Sequence, residues 1–391
     1  MPWKEKGLET MRAEFVERVL AKEKSKAALC REYGISRPTG DKWINRYLNG
    51  ASLANSSRAP VTQYARIPDE TEAMIVDYRT KYPAIGALKL RRILENKGIT
   101  NLPCAKTFNN VFKRNGLITK EASQSAKPCK RFEKKQPNDM WQSDYKGHFP
   151  LQDKTECHTL NIIDDCSRYN LCCKPMYGET FDEIKPVITR LFYEYGLPFS
   201  WLCDNGNPWG TSQSFGYTRF EVWLMELGVL TLHGRARHPQ TQGKDESFNR
   251  SFTREELLYY TPKDMEDASI RFEKYRNFYN NIRPHHALGL DVPSSRYKPS
   301  NRKMPKKITC WEYASDCMVR KVKSTGYFNY NNQGLFLSEA FAGKDIAIKK
   351  ANSLGHINLF FRQFFIGRIN LIQRVYTSKT AYLLKGDPRM E

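Results

Sequence analysis

Apolar residues recur at helical spacing up to about residue 115 and in short, strand-like runs from residue 141 onward. Three short helices are predicted over residues 11–21, 25–33 and 36–48, with Gly34 closing the second and Ser36 capping the third. Trp43, Ile44 and Tyr47 share one face of the third helix. Two helices, a glycine turn and a third helix with an apolar stripe make the helix-turn-helix signature, here placed at residues 1–58. The opposite face of the third helix carries Arg37, Thr39, Lys42 and Arg46, side chains of the kind that contact phosphates and base edges. The plainer alternative is a three-helix bundle with a solvated polar face. A second helical set, over residues 70–82, 87–97 and 106–115, gives a second helix-turn-helix-like domain at 67–118, closed in its middle helix by Gly98.

Residues 119–139 hold six Lys or Arg and two Pro among few apolar residues, which reads as an extended basic linker. Lys130, Arg131, Lys134 and Lys135 are its candidate DNA contacts. From Trp141 the pattern predicts strands at 141–149, 156–164 and 168–177, a helix at 180–195 and a strand at 199–204. A helix at 217–227, a strand at 229–233 and helices from Gly243 and Met265 complete a mixed sheet with helices on its faces, set at 140–300. Beyond residue 308, short strand-like runs alternate with Gly and Asn turns, which predicts a small C-terminal β-barrel over 308–391. The fold class is thus multidomain α+β.

Charge changes this picture. The chain of 391 residues has a net charge of +21, so a polyanion is the natural partner. That charge is partitioned: +13 over residues 1–140, −2 over 141–300 and +10 over 301–391. A middle that keeps its acids between two basic arms suits an enzyme that grips and cuts DNA. Ten Cys without a CxxC pair argue for reduced thiols rather than a disulfide framework. No run approaches 18 apolar residues, and MPWKEKGLET has no apolar leader, so a cytoplasmic, nucleoid-associated protein of bacterial type is expected.

Three acids stand out by context. Asp144 ends the strand Trp141–Tyr145, Asp204 ends the apolar run FSWLC before an Asn-Gly turn, and Glu246 lies in the first turn of a helix. Each alone reads more often as a turn residue or cap; the set is what carries weight. Three converging carboxylates repel one another unless cations neutralise them. Mg²⁺ or Mn²⁺ prefers carboxylate oxygens, and two such ions would hold the attacking and leaving oxygens of an in-line phosphoryl displacement. Lys244 and Arg250 flank Glu246 as candidate contacts to the DNA backbone.

The segments WQSDYKGHFPL (141–151), DDCSRY (164–169), YGLPFSWLCDNGNPWG (195–210), HPQTQGKDESFNRSF (238–252) and YNNIRPHHALGLDVPSSRY (279–297) carry a resemblance. With CREYGISRPTGDKWINRY (30–47) ahead of them, they resemble insertion-sequence transposases of the DDE type. The resemblance implies a ribonuclease-H-like core of the retroviral-integrase superfamily, with Asp144, Asp204 and Glu246 as its acids. It implies cleavage at the ends of a mobile element, joining of the freed 3′-hydroxyls to target DNA, and a homo-oligomeric synaptic complex on double-stranded DNA. Asp245 stands where the family usually has an apolar residue, and Ser247 and Asn249 replace the expected Arg and His. A helix turns about 100° per residue, so Asp245 and Glu246 point differently. Glu246 is the expected ligand, and Asp245 is expected to serve the helix dipole. No protein nucleophile or GxxxxGK[ST] loop is present, so neither covalent catalysis nor nucleotide use is expected. Two rivals remain: a nuclease on the same fold that does not join strands, and a helix-turn-helix regulator with a silent core.

Overall fold

The structure, a computed structural model, describes residues 7–55, 67–118, 133–210, 216–234, 243–353, 355–373, 375–376 and 382–383. The chain divides into two compact units, Met1–Arg66 and Ile67–Glu391.

The first unit holds α1 (Leu8–Leu20), α2 (Lys26–Glu32) and α3 (Arg37–Leu48). Ser25 and Ser36 cap α2 and α3 by accepting from the backbone N–H groups of Ala28 and Thr39. Phe15, Val16, Leu29, Cys30 and Trp43 form the core. Tyr47, expected on the buried stripe, is 39% exposed. The reason lies at Gly40, where a Cβ would stand 2.8 Å from the Cys30 sulfur and 3.1 Å from the Phe15 ring. Gly40 and Trp43 therefore set the crossing of α3, and Tyr47, two turns beyond Gly40, falls outside it.

The second unit opens with α4 (Asp69–Lys81), α5 (Ala87–Asn96) and α6 (Ala105–Arg114), packed around Ile75, Leu90, Ile93, Phe108 and Phe112. The central sheet follows. Strands β1 (Met140–Pro150), β2 (Glu156–Asp164) and β3 (Asn170–Met176) form an antiparallel meander. After α7 (Phe181–Tyr195), β4 (Ser200–Cys203) pairs parallel with β1; after α8 (Arg219–Glu226), β5 (Leu230–His233) pairs parallel with β4. The order is β3-β2-β1-β4-β5. One face packs Trp141, Leu160, Ile162 and Trp201 against Ile188, Phe192, Phe220 and Trp223 of α7 and α8. The other packs Cys157, Ile163 and Cys173 against Phe248, Phe252, Phe272 and Tyr279 of α9 (Gly243–Phe252) and α10 (Met265–Asn281). The second helical set joins this unit through Phe278 of α10, whose ring stacks on Tyr82 at 5.0 Å, and through Arg92 on Asp291 at 3.5 Å. Residues 67–118 are therefore packed on the core.

The C-terminal segment holds β6 (Met318–Lys321), β7 (Tyr327–Tyr330), β8 (Gln333–Phe336), β9 (Asp345–Lys350), β10 (His356–Phe361), β11 (Phe364–Asn370), β12 (Val375–Tyr376) and β13 (Tyr382–Leu383). The expected barrel is not found: among the described residues the sheet is an open path, β12-β11-β10-β9-β6, with β13 on β11 and β7–β8 as a separate hairpin. The edge strand β6 is short and exposed throughout, and the hairpin that follows it pairs only with itself. Among the described residues no strand bridges the two edges. This sheet is seated on α8, where Tyr217, Val222 and Met225 share its core and Tyr217 donates to the Ile366 carbonyl at 2.6 Å.

Candidate active site

Side chains alternate along β1. Trp141 and Tyr145 lie against Trp201 and Trp209, while Asp144 faces α9. Parallel pairing sets Met140 beside Ser200, Trp141 beside Trp201 and Gln142 beside Leu202. Continued by two residues, that register sets Asp144, in the middle of β1, beside Asp204, the residue just past the carboxyl end of β4. Neighbouring strands lie about 4.8 Å apart, so the two acids face one small space.

Asp144 is held from α9. Asn249 donates to its Oδ2 at 3.1 Å, and the Asn249 amide oxygen accepts from Asn161 of β2 at 2.5 Å. Burial, and then the charge of Asp204, push the Asp144 carboxyl up to about 6; Glu246 and Glu179 add to the rise. Asp204 and Glu246 thus both lie within electrostatic reach of Asp144, and their repulsion of its carboxylate is the cost of placing it there.

Asp204 is held by its backbone. Its carbonyl accepts from His233 Nδ1 at 2.8 Å, and His233 Nε2 lies 2.9 Å from Glu221 Oε1. Glu221, 3% exposed, also completes the cap of α8 by accepting from Thr218 N at 2.6 Å. The Asp204 carboxylate accepts from Gly206 N at 3.0 Å. Sequence alone marks Asn249 only as a departure from the family pattern and does not single out His233 or Glu221. The last two carry no local signal because their partners lie 12 and 29 residues away.

Helix α9 divides its two acids. Asp245, Phe248 and Phe252 point inward, and Asp245 is fully buried; Glu246 is exposed. Burial and the Asp144 charge push the Asp245 carboxyl well above the usual carboxylate range. The expectation that Asp245 serves the helix dipole fits its first-turn place but does not account for its burial.

The candidate cations are placed unevenly. Lys244 forms an ion pair with Asp165, a buried acid that also accepts from Gln142 Nε2 at 2.5 Å and from Lys134 N at 2.6 Å. Arg250, Lys135, Arg37 and Lys42 are exposed, and Lys134 is half-buried. Thr39 shares a hydroxyl contact of 2.8 Å with Ser36, and Arg46 donates to the Ala54 carbonyl at 3.4 Å. Lys130 and Arg131 lie outside the described residues, as does the loop 235–242 ahead of α9. Arg283 is structural, forked onto the nearly buried Glu255 with its closest contact at 2.6 Å.

The donor set is carboxylate oxygen throughout, which fits a hard divalent cation. The raised Asp144 and the unpartnered Asp245 oxygens are strains that such a cation would relieve. Among the described residues, no three His, Cys, Asp or Glu side chains stand close enough to form a ready-made cage. No helix among them is long and apolar enough to cross a membrane.

Residues 134–239 and 227–293 match family models described as integrase core domain, and residues 11–60 match a helix-turn-helix domain. Over 286 residues the chain is 22% identical to the transposase InsD of insertion element IS2 from Escherichia coli, covering 69% of this chain and 92% of that protein. Over 224 residues it is 22% identical to an uncharacterized 39.2 kDa protein of insertion element IS476 from Xanthomonas euvesicatoria, covering 57% of this chain and 58% of that one. Among solved structures, the HTLV-2 integrase catalytic core domain in complex with magnesium aligns at 17% identity over 42% of this chain and 99% of its own, with a TM-score of 0.33. At that score the likeness bears no weight.

Proposed function

We propose that this chain, which carries an integrase core behind a helix-turn-helix domain and is similar to insertion-element transposases, cuts DNA at the ends of a mobile element and joins the freed 3′-hydroxyls to target DNA. Asp144, Asp204 and Glu246 would hold two divalent ions, Mg²⁺ or Mn²⁺. When bound, the ions supply Lewis-acid stabilisation of the phosphoryl group in flight. The rest falls to the chain. Asn249 aims the Asp144 carboxylate, and Glu221 with His233 fixes the backbone at Asp204. The ion pair of Lys244 with Asp165 anchors the start of α9 to the sheet. In the first unit, Arg37 and Lys42 are the exposed cations of α3 that would contact the element ends, within a homo-oligomeric complex on double-stranded DNA.

The observation that supports this reading is the parallel register of β1 and β4, which points Asp144 toward Asp204 just past the end of β4, together with the Asp204 charge that acts on Asp144. The test is a strand-transfer assay on labelled element ends with the full chain in Mg²⁺. Joined products support the proposal. Cleaved but unjoined ends assign a nuclease, and binding without cleavage assigns a regulator with a silent core.

A further inference from the structure

Among the described residues, Asp245 is the one acid with both carboxylate oxygens buried and without a hydrogen-bond partner. It is 0% exposed. An ionised carboxylate in that position is strongly disfavoured unless something neutralises it. Its first-turn place on α9 does not explain the burial, since the helix dipole rewards an acid that stays in water just as well.

The surroundings say what is missing. Asp245 precedes Asn249 by four residues, so the two share one stripe of α9, and Asn249 touches Asp144. The largest charge acting on Asp245 is that of Asp144, followed by Asp165. The neighbouring cation, Lys244, directs its ammonium to Asp165. Asp245 therefore looks onto the acidic side of the site.

We propose that Asp245 supplies a further carboxylate to the divalent cation held by Asp144, so that the first turn of α9 presents Asp245 as well as Glu246 to the site. This rests on the reading of Asp144 as a metal-holding residue. It goes beyond it by assigning a ligand at a position where the resemblance implies an apolar side chain.

The test compares full-length wild type, Asp245→Asn, Asp245→Ser and Glu246→Gln by thermal melting in EDTA and in saturating MgCl₂. Mn²⁺ affinity is measured by the loss of the free-ion paramagnetic resonance signal. In EDTA both Asp245 variants are expected to melt at or above wild type, because each removes a buried carboxyl group that has no hydrogen-bond partner. In MgCl₂ they are expected to gain less than wild type, and their Mn²⁺ affinity falls at least about tenfold, the lower bound for a group that merely supports a ligand. Melting of both variants below wild type in both buffers, or wild-type Mn²⁺ affinity in whichever variant folds, overturns the assignment. A fall for Glu246→Gln alone also overturns it while leaving the proposed function standing. A wild type that gains nothing from either metal overturns the proposed function itself, and this inference with it.

Discussion

Asp144 stands within β1 and Asp204 just past the end of the parallel neighbour β4, whose register points one toward the other, whereas Asp245 and Glu246 stand one residue apart on a helix turn, one buried and the other exposed. The strand side is braced on both acids, by Asn249 at Asp144 and by His233 with Glu221 at Asp204. The helix side is anchored next to its acids, at Lys244, and leaves the Asp245 oxygens without a partner. The lesson is one of geometry. A sheet converts sequence register into spatial register directly, because strand spacing and alternation are fixed. A helix start converts one residue of phase into about 100° of direction, so neighbouring acids take different fates.

The largest effect is expected on the strand side. Asp144→Asn or Asp204→Asn should lower cleavage by at least about three orders of magnitude, as removal of a ligand forfeits several kcal/mol of metal-derived stabilisation. DNA binding, measured by gel shift, should stay near wild type. Near-normal cleavage by either variant would break the comparison at its stronger side.

Next comes the helix side. Glu246→Gln should cost about two orders of magnitude in the single-turnover rate and Asp245→Asn about one, measured at saturating Mg²⁺. Equal losses would mean that the two acids share one role. A dead Asp245→Asn beside an active Glu246→Gln would move the ligand by one residue.

Bracing residues should matter less than the acids they hold. Asn249→Ala and His233→Ala are each expected to lower metal affinity or rate by about 10–100-fold. Asn249→Ala should also weaken Mn²⁺ binding, because it frees the Asp144 carboxylate. His233→Gln, which keeps a donor toward the Asp204 carbonyl, should recover part of the loss.

The smallest effect is on stability, and its sign depends on metal. Folded Asp144 titrates at about 6 against 3.8 when free, so its ionisation opposes folding above that window. Metal-free wild type should therefore gain stability as pH falls from about 7 toward 4, on the order of 2 kcal/mol from this group. Asp164 is pushed up to about 6 by burial and contributes in the same direction, so the difference between wild type and Asp144→Asn isolates Asp144. Denaturant midpoints across pH in EDTA read this. A pH-independent difference would show that Asp144 is not strained by its neighbours.

The sheet was legible because apolar alternation and the Asn-Gly turn after Asp204 mark its strands locally, but β1 runs on to Pro150, so Asp144 does not end its strand as expected. The facing of α9 was not, since its phase is set by a packing stripe, Asp245–Phe248–Phe252, that competes with the alternative stripe through Glu246. The C-terminal strands were legible one by one. Their closure was not, because alternation within β6 or β11 says nothing about which edge meets which. Tyr47 was misplaced for a similar reason: its spacing from Trp43 fits a stripe, but the close approach at Gly40 decides where the stripe ends.

The central claim is that the paired carboxylates of Asp144 and Asp204 run metal-dependent DNA cleavage and joining. It is tested most directly by the single-turnover rate of end cleavage for wild type and Asp204→Asn, each in Mg²⁺ and in EDTA. The account predicts cleavage followed by joining in wild type with Mg²⁺, and rates at background in the other three conditions. Cleavage by wild type in EDTA, or by Asp204→Asn in Mg²⁺ at a rate close to wild type, would contradict it.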